Sequence, residues 1–154
     1  TKQFKDYMFR TERSKFLMEQ GIPLNTDSTL KGQTVFLAER CAELIQTDII
    51  TDRTVIDVMA FTLNAKSIGE HEKDAFETYA SEFIREYDYI FYISPYGIDI
   101  EDNGVRETDE HYRDLIDFTI TTLIKRHGHK AGKIEKISGS TDERIQQILK
   151  FTNL

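Results

Sequence analysis

The stretch DIITDRTVIDVMAFT, residues 48–62, runs from an apolar segment directly into an acid and a base. Its two isoleucines favour a buried strand, because β-branched side chains suit the pleat and strands covered on both faces lose their polar alternation. We expect the strand to end at Asp52 and Arg53 and a helix to begin near Val55. Ligands bind at the carboxyl ends of strands in open α/β sheets, which makes this charged pair a candidate site. The alternative is that Asp52 only caps the helix.

The rest of the chain alternates in the same way. Apolar spacing and turn residues predict helices at residues 4–20, 30–46, 55–65, 71–87, 109 to about 126 and 141–151, and further strands at 87–95 and 133–138. Gly21 should stop the first helix, Asp27 or Ser28 should cap the second, and Asp109 should cap the fifth. Parallel strands need crossover helices, so the pattern predicts one α/β domain over residues 1–154, a three-layer α/β/α fold with a parallel sheet. Three strands are fewer than the roughly five of a usual sheet.

Composition limits the function classes. The chain has 154 residues, 39% of them hydrophobic, which is enough for a real core. It shows neither an apolar run long enough for a membrane span nor a signal-peptide pattern, and its single Cys41 offers neither a disulfide nor a thiolate metal site, so a reducing cytoplasm is the expected location. A net charge of −7 argues against extensive binding to the phosphate backbone of a nucleic acid. The four histidines do not form a zinc-hydrolase motif.

Four segments carry a resemblance to a known family. LNTDSTLKGQTVFLAER, DIITDRTVIDVMAFT, YDYIFYISPYGIDIEDNGVRETD and KIEKISGSTDERIQQI, in that order and spacing, resemble the P-loop nucleoside and nucleotide kinase superfamily, in particular phage and bacterial ATPase or kinase domains of the ribosylnicotinamide kinase type. The likeness covers residues 12–148. It implies a transferase that uses ATP and Mg²⁺ to phosphorylate a nucleoside, a nucleotide or a related small acceptor.

The chain departs from that family in one respect. No Gly-rich loop of the form G-x-x-x-x-G-K-[ST] occurs in the 154 residues, and neither strand that the family places at the N-terminal side is expected here. In the family, that loop follows the central strand of the sheet. If this strand were absent, the strands on either side of it would have unpaired backbone N–H and C=O groups. We therefore expect an N-terminal segment to be missing from this chain. The alternatives are a split protein, a partner chain that supplies the strand, or a degenerate kinase that only binds.

The resemblance also implies roles for two pairs of residues. Asp52 would face the acceptor hydroxyl as general base or lie near Mg²⁺, and Arg53 would bind acceptor or phosphate oxygens, a role that suits its planar fork. Gln33 would read a base edge with Arg40 assisting, and the seven residues between them place both on one helix face. The alternative is that Gln33 and Arg40 are ordinary surface residues of an amphipathic helix.

Two further segments match the family. Residues 96–109 correspond to a lid, in which Arg106 would add a cation to the closed site. Gly139, Ser140 and Arg144 would contact the adenine of ATP. The alternatives are a surface ion pair for Arg106 and a helix cap for Ser140.

Three functions stay open at this point. The first is an ATP-dependent kinase of a small acceptor, whose partners would include either a second copy of the chain or a complementing N-terminal segment. The second is a non-catalytic nucleotide-binding or protein-binding module on the same fold. The third is a kinase of a modified base in DNA, which the acidic balance disfavours. A Gly-rich loop with Lys in the upstream coding sequence would favour the first.

Overall fold

The computed structural model of the chain describes residues 3–96 and 109–154. Within these ranges four strands alternate with six α-helices. Their order is β1 Met8–Arg10, α1 Ser14–Glu19, α2 Leu30–Leu44, β2 Ile49–Thr51, α3 Val55–Leu63, α4 Glu70–Ser81, β3 Tyr89–Ile93, α5 Glu110–His127, β4 Lys133–Ile137 and α6 Thr141–Thr152. Short 3₁₀ turns extend α4 over Glu82–Glu86 and α5 over Gly128–Lys130.

The strands pair in two parallel couples. β1 pairs with β2, with Met8 opposite Ile49 and Arg10 opposite Thr51. β3 pairs with β4, with Tyr89 opposite Lys133. Helices connect the two strands of each couple, as parallel pairing requires. The predicted mixed α/β class with parallel strands is therefore confirmed, and in the described residues the strands form two sheets of two strands.

The N-terminal segment differs from its predicted structure. We predicted one helix over residues 4–20 and no strand on that side, but Met8–Arg10 is a strand and only Ser14–Glu19 is helical. Residues 4–20 have helical apolar spacing, yet β2 offers backbone groups with which Met8–Arg10 pairs. Pairing between strands far apart in sequence overrides local propensity here. Gly21 follows the short helix at a φ of +86°, as its predicted role as a stop requires.

The helix α3 lies at the centre of the packing. Thr54 caps it through a capping box, in which the Thr54 hydroxyl accepts from the backbone N–H of Ile56 and the Asp57 carboxylate accepts from that of Thr54. The alternative in which Asp52 caps this helix is therefore wrong. Seven of its nine residues are buried, because α2, α4 and α5 all contact it.

One buried apolar cluster draws on α1 through α5 and on β3. Val55, Met59 and Ala60 of α3 are fully buried in it, as is Ile84 after α4. The Tyr87 hydroxyl, just before β3, accepts from the Val55 backbone N–H at 3.2 Å. This bond ties the segment that follows β2 to the start of the second strand couple.

The remaining caps place the helix starts. Thr29 caps α2, instead of the predicted Asp27 or Ser28, because its hydroxyl accepts from the Gly32 N–H at 3.0 Å. Asp109 caps α5 and Ser140 caps α6, as predicted. Among the helices of the described ranges, none combines the length and apolarity that a membrane crossing needs.

Candidate functional site

The carboxyl ends of β1 and β2 form one edge of the first sheet. Because Arg10 lies opposite Thr51, the two parallel strands end at the same level. An open cleft lies beside this edge, and its free space, including the solvent-facing mouth, is about 380 Å³. Its charged lining residues are three acids and three bases: Glu12, Arg13, Glu39, Arg40, Arg53 and Asp57. The rest of the lining is largely apolar.

Gln33 lines this cleft from α2 and is fully buried. Its Nε2 donates to the carbonyl oxygen of Leu24 at 3.2 Å, which fixes the orientation of the amide because a carbonyl can only accept. Its Oε1 is buried with no hydrogen-bond partner in the described part of the chain. Buried acceptors normally have a hydrogen-bond donor, so a ligand N–H at this position would supply the hydrogen bond that Gln33 Oε1 lacks. Gln33 is thus not the surface residue of the alternative interpretation.

Arg40 also lines the cleft and is only 5% exposed. Its Nη1 donates to the carbonyl oxygen of Asp52 at 2.7 Å and more weakly to that of Arg53 at 3.4 Å. Its Nη2 forms an ion pair with Glu43 at 3.1 Å. Burial raises the pKa of the Glu43 carboxyl, and the attraction of Arg40 only partly opposes that rise.

The Asp52 and Arg53 side chains take different positions. Arg53 lines the cleft, with its guanidinium carbon 5.9 Å from the centre of the Phe61 ring and Nη1 4.0 Å from Asp57. Asp52 is exposed and does not line the cleft, although its backbone N–H donates to the Arg10 carbonyl oxygen. The structure therefore brings Gln33, Arg40 and Arg53 together and leaves the Asp52 carboxylate outside this lining.

Sequence reasoning missed the residues that follow β1. Glu12 is half-buried in the cleft wall, where its Oε1 accepts from the Ser14 N–H at 2.5 Å. Arg13 forms an ion pair with Glu39 at 3.1 Å. The apolar spacing predicts a helix over residues 4–20, which does not place Glu12 and Arg13 after a strand. The available signal was the repeated pattern, since Thr-Glu-Arg follows β1 as Thr-Asp-Arg ends β2.

The other predicted site residues lie elsewhere. Gly139, Ser140 and Arg144 surround the junction of β4 and α6 and do not line the cleft. Ser140 acts in the α6 capping box, and Arg144 bonds to the Ser140 carbonyl and the Thr141 hydroxyl. Arg106, with most of the predicted lid at residues 96–109, lies outside the described residues.

The family resemblance implies Mg²⁺ and ATP, and the described residues show whether side chains for binding them are present. In the described ranges, no three acidic, histidine or cysteine side chains are grouped as a metal site would need, and the exposed Asp52 has no such companions. No Gly-rich phosphate loop occurs in the 154 residues. The described residues therefore do not by themselves form a site for Mg²⁺ or for the ATP phosphates.

Comparison of the chain with protein-family models, with curated proteins and with solved structures finds no match.

Proposed function

We propose that this chain forms the acceptor-binding part of an ATP-dependent phosphotransferase that acts on a nucleoside, a nucleotide or a related small acceptor. The observation that carries the proposal is the cleft at the carboxyl ends of β1 and β2, where Gln33, Arg40 and Arg53 meet. The resemblance to the kinase superfamily implies acceptor or phosphate binding for these three residues, and Gln33 and Arg40 on α2 share one cleft with Arg53, which follows β2.

The cleft has the chemistry of a site for a nitrogen heterocycle. Phe36 and Phe61 contribute aromatic surface to its walls. The buried Oε1 of Gln33 offers one acceptor, which suits the ring N–H or exocyclic amino group of a base or a carboxamide.

Charged groups at the strand ends serve the acceptor hydroxyl. A carboxylate at this edge takes the hydroxyl proton, and Arg53 binds oxygens of the acceptor or of the transferred phosphoryl group. Two carboxylates follow the paired strands, Glu12 after β1 and Asp52 after β2. Glu12 lines the cleft, so it joins Asp52 as a candidate base.

ATP and Mg²⁺ belong to the proposal, but the described residues do not form a binding site for them. The two parallel couples support a larger three-layer sheet of the P-loop kinase type. In the described residues β2 and β3 each have one neighbouring strand, so a further strand could pair with either of them. That strand would come from a complementing segment or from a second copy of the chain.

Acceptor binding tests the cleft directly. We expect isothermal titration calorimetry with a panel of nucleosides, nucleoside monophosphates and nicotinamide riboside to find at least one ligand. Gln33→Ala should weaken that binding about tenfold or more, the loss that corresponds to about 1.4 kcal/mol. Gln146→Ala is the matched control, because Gln146 is an exposed glutamine on α6. Equal affinity for wild type and Gln33→Ala would remove Gln33 from the site.

Turnover decides between the two carboxylates and between the function classes. In the full-length gene product, we would measure transfer of labelled phosphate from ATP to the ligand found above. Loss of the general base should lower turnover about 10²-fold or more, in Glu12→Gln if Glu12 is the base or in Asp52→Asn if Asp52 is. Near-normal turnover in both variants would contradict the carboxylate mechanism. Ligand binding without any phosphoryl transfer would favour the non-catalytic module.

A further inference from the structure

The turn after β2 holds a non-glycine residue in the left-handed region. Arg53 has a φ of +77°, and the only other such residues in the described ranges are Asp48 and Asn153. This region brings the Cβ of an L-residue close to the following carbonyl, so it is unfavourable for arginine. Such a conformation persists only where surrounding contacts enforce it.

The contacts that enforce it converge on two carbonyl groups. Arg40 Nη1 donates to the Asp52 and Arg53 carbonyl oxygens, and the Thr51 hydroxyl also donates to the Arg53 carbonyl, at 2.9 Å. Glu43 holds the other end of the guanidinium through Nη2. Both Arg40 and Glu43 are buried, so their geometry is constrained by packing.

We propose that Arg40 is a positioning residue, which holds the Asp52–Arg53 turn in its left-handed conformation and thereby places the Arg53 guanidinium in the cleft. The functional meaning of this placement rests on the proposed function, in which Arg53 binds oxygens of the substrate. Arg40 is suited to the task because its planar fork reaches the two carbonyls and Glu43 at once. An ammonium group in its place would lack that fork.

The test compares glycine with alanine at position 53 in two backgrounds. Both Arg53→Gly and Arg53→Ala remove the guanidinium, but only glycine tolerates a φ near +77° without strain. In the wild-type background, we expect the equilibrium constant of unfolding, measured in urea, to be about five- to thirtyfold larger for Arg53→Ala than for Arg53→Gly. This ratio of the two constants is the factor that one strained residue contributes. In the Arg40→Lys background, the turn relaxes and the ratio should fall towards one.

This readout isolates the turn from general destabilisation. A merely structural Arg40 would lower the stability of the glycine and alanine chains equally, so an unchanged ratio overturns the proposal. A ratio of one in the wild-type background overturns it as well. Since the measurement needs no substrate, its outcome is independent of phosphoryl transfer.

A second measurement covers the case in which Arg40→Lys does not fold. In the wild-type chain, hydrogen exchange of the Arg40 guanidinium is followed by nuclear magnetic resonance. Donors of the buried Arg40 that are bonded to these carbonyls should exchange at least about tenfold more slowly than those of free arginine, because exchange requires local opening. Exchange at the rate of a free arginine overturns the proposal. The exposed Arg85 is the internal control, since its guanidinium bonds to the carbonyl and carboxylate oxygens of Glu82 on the surface.

Discussion

At the scale of single residues, Asp52 and Thr54 lie two positions apart and have separate roles. Thr54 forms the capping box of α3 with Asp57. Asp52 contributes its backbone groups, which bond to Arg10 and Arg40, while its side chain is exposed. The stability of α3 should therefore depend on Thr54 and not on the Asp52 carboxylate.

Replacing each side chain in turn tests this division. Thr54→Ala should lower the free energy of unfolding by about 1 kcal/mol, the usual value of a cap. Asp52→Asn should change it by less than about 0.5 kcal/mol, as exposed substitutions usually do. Urea denaturation followed by circular dichroism measures both. A larger loss in Asp52→Asn than in Thr54→Ala would reverse the assignment of the cap.

At the scale of elements, a charged cluster joins α4 to the end of α5. Glu77 of α4 accepts from Arg126 and lies 2.9 Å from His127 Nε2. Burial raises the pKa of Glu77, but the hydrogen bonds from His127 and Arg126 outweigh it, so the net pKa is lowered. Both helices carry apolar residues into the core, and the cluster fixes their ends against each other.

The lowered pKa gives this cluster a defined pH dependence. Because the folded pKa of Glu77 lies below its unfolded value of about 4.3, the stabilisation is fully present above that value and is lost as pH falls through the folded pKa. Glu77→Gln should lower the melting temperature at pH 5–6, and its difference from wild type should shrink towards pH 3. Glu72→Gln, an exposed change on the same helix, is the control. A difference that stays constant over this pH range would contradict the prediction.

At the scale of the whole molecule, the core around α3 connects both strand couples. The α3 helix follows β2 directly, and its Val55 backbone N–H donates to the Tyr87 hydroxyl, just before β3. Unfolding of this core should therefore remove both couples in one transition.

Met59 at the centre of α3 provides the test. Met59→Ala should lower the free energy of unfolding by about 2–5 kcal/mol, because the side chain is fully buried. Met18→Ala should lower it less, since Met18 only packs against the edge of the same core. Tyrosine fluorescence and circular dichroism should give coincident unfolding curves. Separate midpoints would show that the two couples unfold independently.

The sequence determined the elements whose signals are local. The strands at Ile49–Thr51, Tyr89–Ile93 and Lys133–Ile137, and most of the helices, lie where β-branched runs, apolar spacing and caps predict them. The candidate status of Arg53 came from its position at a strand end, and that of Gln33 and Arg40 from the resemblance to the kinase superfamily. Their roles in an activity stay predictions.

The tertiary structure alone decided how these pieces meet. The strand β1 exists because Met8–Arg10 pairs with residues about forty positions away, and such pairing leaves no local pattern. This strand brings Glu12 and Arg13 to the cleft. The helix predicted over residues 4–20 did not imply that position. Likewise, the bonds of Arg40 to the Asp52 and Arg53 carbonyls require the tertiary structure to bring α2 to the turn that follows β2. Local signals specify what each segment forms, whereas contacts between distant segments specify what each side chain can reach.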